Sequence, residues 1–112
     1  MLISELRDLL EATVLCGGDR LDEEFSLAFA SDMMSDVLAY PDELECLLTG
    51  LVNSQVVRTA DMMDISIIVF VSGKIPQEEV IQMAEQRDMV VMSTKYRLYN
   101  TCGRLYEAGI SR

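Results

Sequence analysis

The sequence predicts a single α/β domain of three layers, with a mainly parallel sheet and helices packed on both of its faces. Three observations carry that expectation. From Glu45 to Ala108 strand and helix signals alternate, an order that demands crossover connections and parallel pairing. Ile65 to Val71 is apolar almost without a break and rich in β-branched side chains, as a central strand covered on both sides should be. The chain has 112 residues, 50% apolar and 25% charged, enough to bury one shared core without covalent staples.

Taken in order, Ser4 is placed to cap a short first helix whose Leu6, Leu9 and Leu10 recur at helical spacing. Thr13-Val14-Leu15-Cys16 reads as a strand, ended by Gly17-Gly18-Asp19. A second strand, Phe25 to Ala30, alternates weakly and stops at Ser31-Asp32; a short helix follows through Val37 and Leu38 to Pro41. Glu45 to Thr49 is the next strand, Gly50 its turn, and Asn53 the N-cap of a helix carrying Val56, Val57, Ala60 and Met63. After Ile65 to Val71, Ser72-Gly73-Lys74 turns the chain. Pro76 then suits the first helical position, and Glu78 and Glu79 suit the positive end of the helix dipole. That helix turns Val80, Ile81 and Ala84 inward. Met89 to Met92 is the last strand, and Ser93 or Thr94 opens the final helix. Leu98, Cys102 and Leu105 form one stripe on it, with Tyr99 and Tyr106 beside them, and Gly109 is placed to stop it. No repeat, linker or low-complexity run interrupts this order, so residues 1–112 read as one domain.

The net charge is −10, from 19 acidic against 9 basic residues. Phosphate backbones and anionic lipid surfaces both require a basic face, so nucleic acid and membrane are excluded as partners. No apolar run approaches the roughly 18 residues of a membrane helix, and Met1 to Asp8 lacks the basic-then-apolar order of a signal peptide. The expected compartment is the cytoplasm. With no histidine, and with Cys16, Cys46 and Cys102 far apart, neither a metal site nor a cofactor is expected. Cys46 and Cys102 fall on apolar faces; Cys16, beside Gly17-Gly18, is expected to be the most accessible thiol. Most of the eight methionines read as core filler. Met33-Met34 is the exception because it adjoins a polar turn. With Leu27 and Phe29 it forms the candidate homodimer interface.

Catalytic machinery is not legible. A serine hydrolase lacks its histidine base, and Lys74 and Lys95 make no Ser-x-x-Lys spacing. Gly73-Lys74 is followed by Ile75-Pro76, which cannot form a phosphate-binding P-loop, and no Gly-x-Gly-x-x-Gly occurs. What the order of elements does define is a rim. In a parallel sheet, ligands sit beyond the carboxyl ends of the strands, where helix N-termini point their free N–H groups. Those ends carry Ser31, Asp32 and Ser35; Thr49, Gly50, Asn53 and Ser54; Ser72, Gly73 and Lys74; and Ser93, Thr94 and Lys95. Small polar residues with two lysines at one rim suit a small polar or anionic ligand.

The stretch Leu47-Leu48-Thr49-Gly50-Leu51-Val52-Asn53-Ser54-Gln55-Val56-Val57-Arg58-Thr59-Ala60 resembles a DRTGG domain. The likeness extends through Ile67 to Pro76, Met92-Ser93-Thr94 and Thr101 to Gly109, and earlier through Ala30 to Ala39. It implies the fold of the N-terminal domain of HPr kinase/phosphorylase. Similar domains stand between CBS domains in regulatory pyrophosphatases and occur in some phosphotransacetylases. Catalysis there belongs to another domain, so the resemblance implies a regulatory or accessory module and not an enzyme. The stand-alone DRTGG proteins of anaerobic bacteria, often encoded beside iron-only hydrogenase and sensor-kinase genes, imply a partner of either kind. One departure stands out. The Asp-Arg-Thr-Gly-Gly run should fall at Gly50-Leu51-Val52-Asn53-Ser54, where the Asp and Arg are missing, so no arginine clamp carries over. Two readings follow: a ligand-binding regulatory dimer, or a purely structural dimerisation or scaffold domain for a hydrogenase or signalling complex.

Overall fold

A computed structural model describes residues 1–110. The elements are α1 (Ile3–Leu9), β1 (Thr13–Cys16), β2 (Ala28–Ala30), α2 (Met34–Leu38), β3 (Cys46–Thr49), α3 (Ser54–Met62), β4 (Ile67–Phe70), α4 (Glu78–Gln86), β5 (Val90–Ser93) and α5 (Leu98–Glu107). One sheet runs in the order β1-β5-β4-β3-β2. β2 to β5 are parallel, and β1 closes the far edge antiparallel to β5. Every residue of β3, β4 and β5 is buried. Alternate side chains serve opposite cores. Leu47, Ile68, Phe70 and Val91 pack under α2, α3 and α4, while Cys46, Leu48, Ile67, Val69 and Met92 pack under α1 and α5. The three-layer α/β domain expected from the strand–helix alternation is what forms.

Several local expectations are corrected. Ser4 does not cap α1: Leu2 holds the cap position, its N–H bonded to Glu5 Oε1 at 2.8 Å. The N–H groups of Ile3 and Ser4 bond to the carbonyls of Glu23 and Leu21, so the chain's own backbone satisfies that helix end. β2 begins at Ala28 and not at Phe25, because Phe25 is buried in the α1–α5 core and the Glu45 carboxylate takes the N–H groups of Ser26 and Leu27. Pro76 is buried just ahead of Gln77, the cap of α4, and so stands before the helix. Neither Ser93 nor Thr94 opens α5. Ser93 ends β5, and buried Thr94 donates its hydroxyl to Leu10 O at 2.7 Å, so the helix starts only after Arg97.

Cys16 is also corrected. Its thiol is buried, 7% exposed, and donates to Met89 O at 3.4 Å. A bulge between Val14 and Cys16 breaks the alternation of β1, so Leu15 and Cys16 both face the α2–α4 side. Gly17 follows with φ 81°, where a Cβ would lie 2.6 Å from Met89 O and 2.7 Å from Val90 Cα. Only glycine permits that approach.

Candidate functional site

Because β2 to β5 are parallel, their carboxyl ends arrive at one rim, and the loops that follow are tied to each other. Asp32, after β2, accepts from the N–H of Gly50, just after β3, at 2.7 Å and from the hydroxyl of Thr49, which ends β3, at 3.1 Å. Lys74, after β4, donates from Nζ to Gly50 O at 2.9 Å. Gly50 is thus held on its donor side by a carboxylate and on its acceptor side by an ammonium. A Cβ there would stand 3.4 Å from Asp32 Oδ1 and 3.6 Å from Lys74 Nζ, so both charges face one point. Ser93, at the end of β5, donates its hydroxyl to Lys74 O at 2.7 Å. Ser72 and Gly73 both adopt left-handed backbone, φ 63° and 70°, and give their N–H groups to Tyr96 O and Thr94 O at 2.8 Å.

The remaining rim residues act locally or border a cleft. Asn53 caps α3 as its position predicts, its side chain accepting from the Gln55 N–H at 3.0 Å. Ser31 accepts from the Met33 N–H at 3.0 Å, and Ser35 lies exposed in the first turn of α2. Lys95 stands apart, lining a cleft with Leu10, Glu11 and Tyr96. Ser54 and Asn53 line a cleft of about 400 Å³ between the start of α3 and the segment entering α4, together with Val52, Ile75, Gln77 and Glu79. The last four were not among the sequence candidates. Ile75, 64% exposed on a polar rim, was the signal that could have found them. The rim therefore combines a carboxylate, an ammonium and an adjoining cleft walled by apolar and amide side chains with Ser54 and the Glu79 carboxylate.

Comparison with known proteins identifies the family and the fold. The model of the DRTGG domain family matches residues 5–108. This chain belongs to the DRTGG domain family. Its fold matches the crystal structure of the CBS and DRTGG domains of the regulatory region of Clostridium perfringens pyrophosphatase, complexed with the activator diadenosine tetraphosphate. The TM-score is 0.74 at 14% identity, over 93% of this chain and 45% of that one, so this chain spans about half the length of its neighbour. No curated protein sequence matches it. In this DRTGG domain the residues after β3 are Gly50-Leu51-Val52-Asn53-Ser54, and the carboxylate that reaches Gly50 comes from Asp32 of the neighbouring loop.

The candidate dimer residues of the DRTGG domain separate. Met33 is 61% exposed, whereas Met34 is 4% exposed and packs in the α2–α4 core, leaving no side-chain surface for a second copy. Leu27 is half-buried, and Phe29 stacks on Tyr40 with ring centroids 4.9 Å apart. Burial pushes the Cys16 thiol up, raises Cys102, and raises Cys46 furthest, with Glu45 adding to the last. Among the described residues no cluster of acidic or thiol groups could hold a metal ion, and no helix is long and apolar enough to cross a membrane.

Proposed function

We propose that this DRTGG domain is a non-catalytic regulatory module of the cytoplasm. It works as a homodimer and takes a small polar or anionic ligand at the carboxyl rim of its sheet. One observation supports the reading above others: Asp32, Gly50, Lys74 and Ser93, from four separate strand ends, converge in one network beside a cleft of about 400 Å³. Lys74 is the contact a ligand can change. An anion that draws the ammonium from Gly50 O loosens the loop after β3 from the loop after β4. Occupancy becomes a signal only through such a difference in affinity between two arrangements. The regulatory setting of the structural neighbour accords with this role. The test is native mass spectrometry of gently purified protein, followed by calorimetry with inorganic pyrophosphate and diadenosine tetraphosphate. Binding weakened at least about tenfold by Lys74→Ala, roughly 1.4 kcal/mol, is the expected outcome. An unaltered affinity removes Lys74 from the site.

A structural reading, a dimerisation or scaffold domain serving a hydrogenase or sensor-kinase complex, has its own support. The N–H groups of Gly50, Ser72 and Gly73 are already bonded within the chain, which leaves fewer rim donors for a ligand. A protein that carries no small molecule and binds neither probe, yet captures such a partner, favours that reading.

A further inference from the structure

We infer that a second copy of this chain pairs along β2, antiparallel and centred on Phe29, joining the two sheets into one. The inference rests on the homodimer reading and adds the surface and the register. β2 is the outermost strand on its side of the sheet. Leu27 O accepts from Cys46 N–H, and Ser31 N–H donates to Leu48 O, so the residues facing β3 are 27, 29 and 31. The backbone groups of Ala28 and Ala30 therefore point outward. Unpaired N–H and C=O groups on a sheet edge are a template for another strand.

The opposite edge is blunted by a bulge, and this one only by its shortness. β1 carries a bulge, whereas Ala28-Phe29-Ala30 has no bulge, charge or proline. The edge is also complementary to itself. A two-fold axis through Phe29 sets Ala28 against Ala30 of the second copy, and each such pair exchanges two hydrogen bonds. All the outward groups of both strands are then satisfied, with Phe29 facing its own copy at the non-hydrogen-bonded position. Both side-chain faces fit. Beside Ala28 and Ala30 lies an apolar groove of about 200 Å³ bordered by Leu48, Cys102, Leu105 and Tyr106. The two-fold lays the two grooves side by side, and the small alanines let Tyr106, 67% exposed, reach across the join. On the other face the Phe29–Tyr40 stacks of the two copies meet. Three residues of strand fall short of the roughly 1,000 Å² a specific interface needs. Met33, which caps α2, and Leu38, which ends it, are exposed apolar side chains from which a larger contact could draw area. The carboxylates of Glu45 and Asp32 are both engaged within the chain, Glu45 on the N–H groups of Ser26 and Leu27 and Asp32 on that of Gly50.

The experiment uses the full chain in sedimentation over a dilution series, with far-UV circular dichroism to verify folding. Wild type is expected to be dimeric. Ala28→Pro, which removes an outward N–H, and Ala30→Lys, which sets a charge in the groove beside the join, are expected to be folded monomers. In a Cys102→Ser background, Phe29→Cys should cross-link to its own copy on mild oxidation, because the non-hydrogen-bonded pair is close enough for a disulfide. Leu27→Cys, which faces residue 31 in this register, should not. A monomeric wild type overturns both this inference and the homodimer reading. A dimer that survives Ala30→Lys and fails to cross-link through Phe29→Cys overturns this inference alone. A monomer whose Ala28 and Ala30 amides gain exchange protection only with a basic extended peptide assigns the edge to a different protein, and also overturns it.

Discussion

Removing the Asp32 carboxylate tests whether the rim is held from within. In Asp32→Ala the Gly50 N–H, bonded at 2.7 Å, and the Thr49 hydroxyl, bonded at 3.1 Å, both lose their acceptor. A hydrogen bond to a charged group contributes about 1.5–3 kcal/mol where water is excluded; both bonds share the one oxygen, Oδ1, so the longer one adds less, about 0.5–1.5 kcal/mol. Asp32 itself is exposed, so water partly replaces it, and the lower end of each range applies. The expected loss is about 2 kcal/mol, or about 8 °C in melting temperature for a domain of this size. Asp32→Asn keeps a neutral acceptor at the same place and should lose about half as much. Urea denaturation of the three proteins measures the loss, and hydrogen exchange of the Gly50 amide localises it. If Asp32→Ala melts within about 2 °C of wild type, Gly50 does not depend on Asp32, and the network does not hold the loops together.

Gly17→Ala forces an L side chain to φ 81° and sets its Cβ 2.6 Å from a backbone carbonyl. Strain and overpacking together should cost about 3 kcal/mol in chemical denaturation, whereas Gly18→Ala, with nothing within 4 Å, should stay within about 1 kcal/mol of wild type. Of the three thiols, Cys102 is the one not fully buried and should be the first alkylated in the native protein, with Cys16 and Cys46 reacting on unfolding. All three thiol pKa values are raised in the folded chain. Above about pH 8.5 the unfolded chain therefore releases protons that the folded chain retains, so stability should fall as pH rises through that point. Urea midpoints from pH 7 to about 10 measure this, and replacing Cys46 with Ala should flatten the profile.

Much of the fold was legible because its signals are local. An apolar run such as Ile67 to Phe70 identifies a strand covered on both faces, and Val56, Val57 and Ala60 mark the buried side of α3. Asn53 ahead of α3 is a cap that reaches only two residues. The list of rim residues followed from strand order alone, since parallel strands bring their carboxyl ends together. The cleft beside the rim was less legible, because Gln77 and Glu79 lie beyond the turn and resemble any helix start.

The sequence by itself determined the class of domain, the order of its strands and helices, and which loops share a rim. Each of these depends on periodicity and capping within a few residues. The tertiary structure alone decided that β1 lies antiparallel against β5, that a bulge there buries Cys16, and that Thr94 bonds to Leu10 across 84 residues of sequence. It also decided that Met34 turns inward while Met33 stays out, and that Asp32 and Lys74 meet at Gly50. Such partners are chosen by packing between distant segments, and no local pattern of side chains records which distant carbonyl a hydroxyl or an ammonium will find.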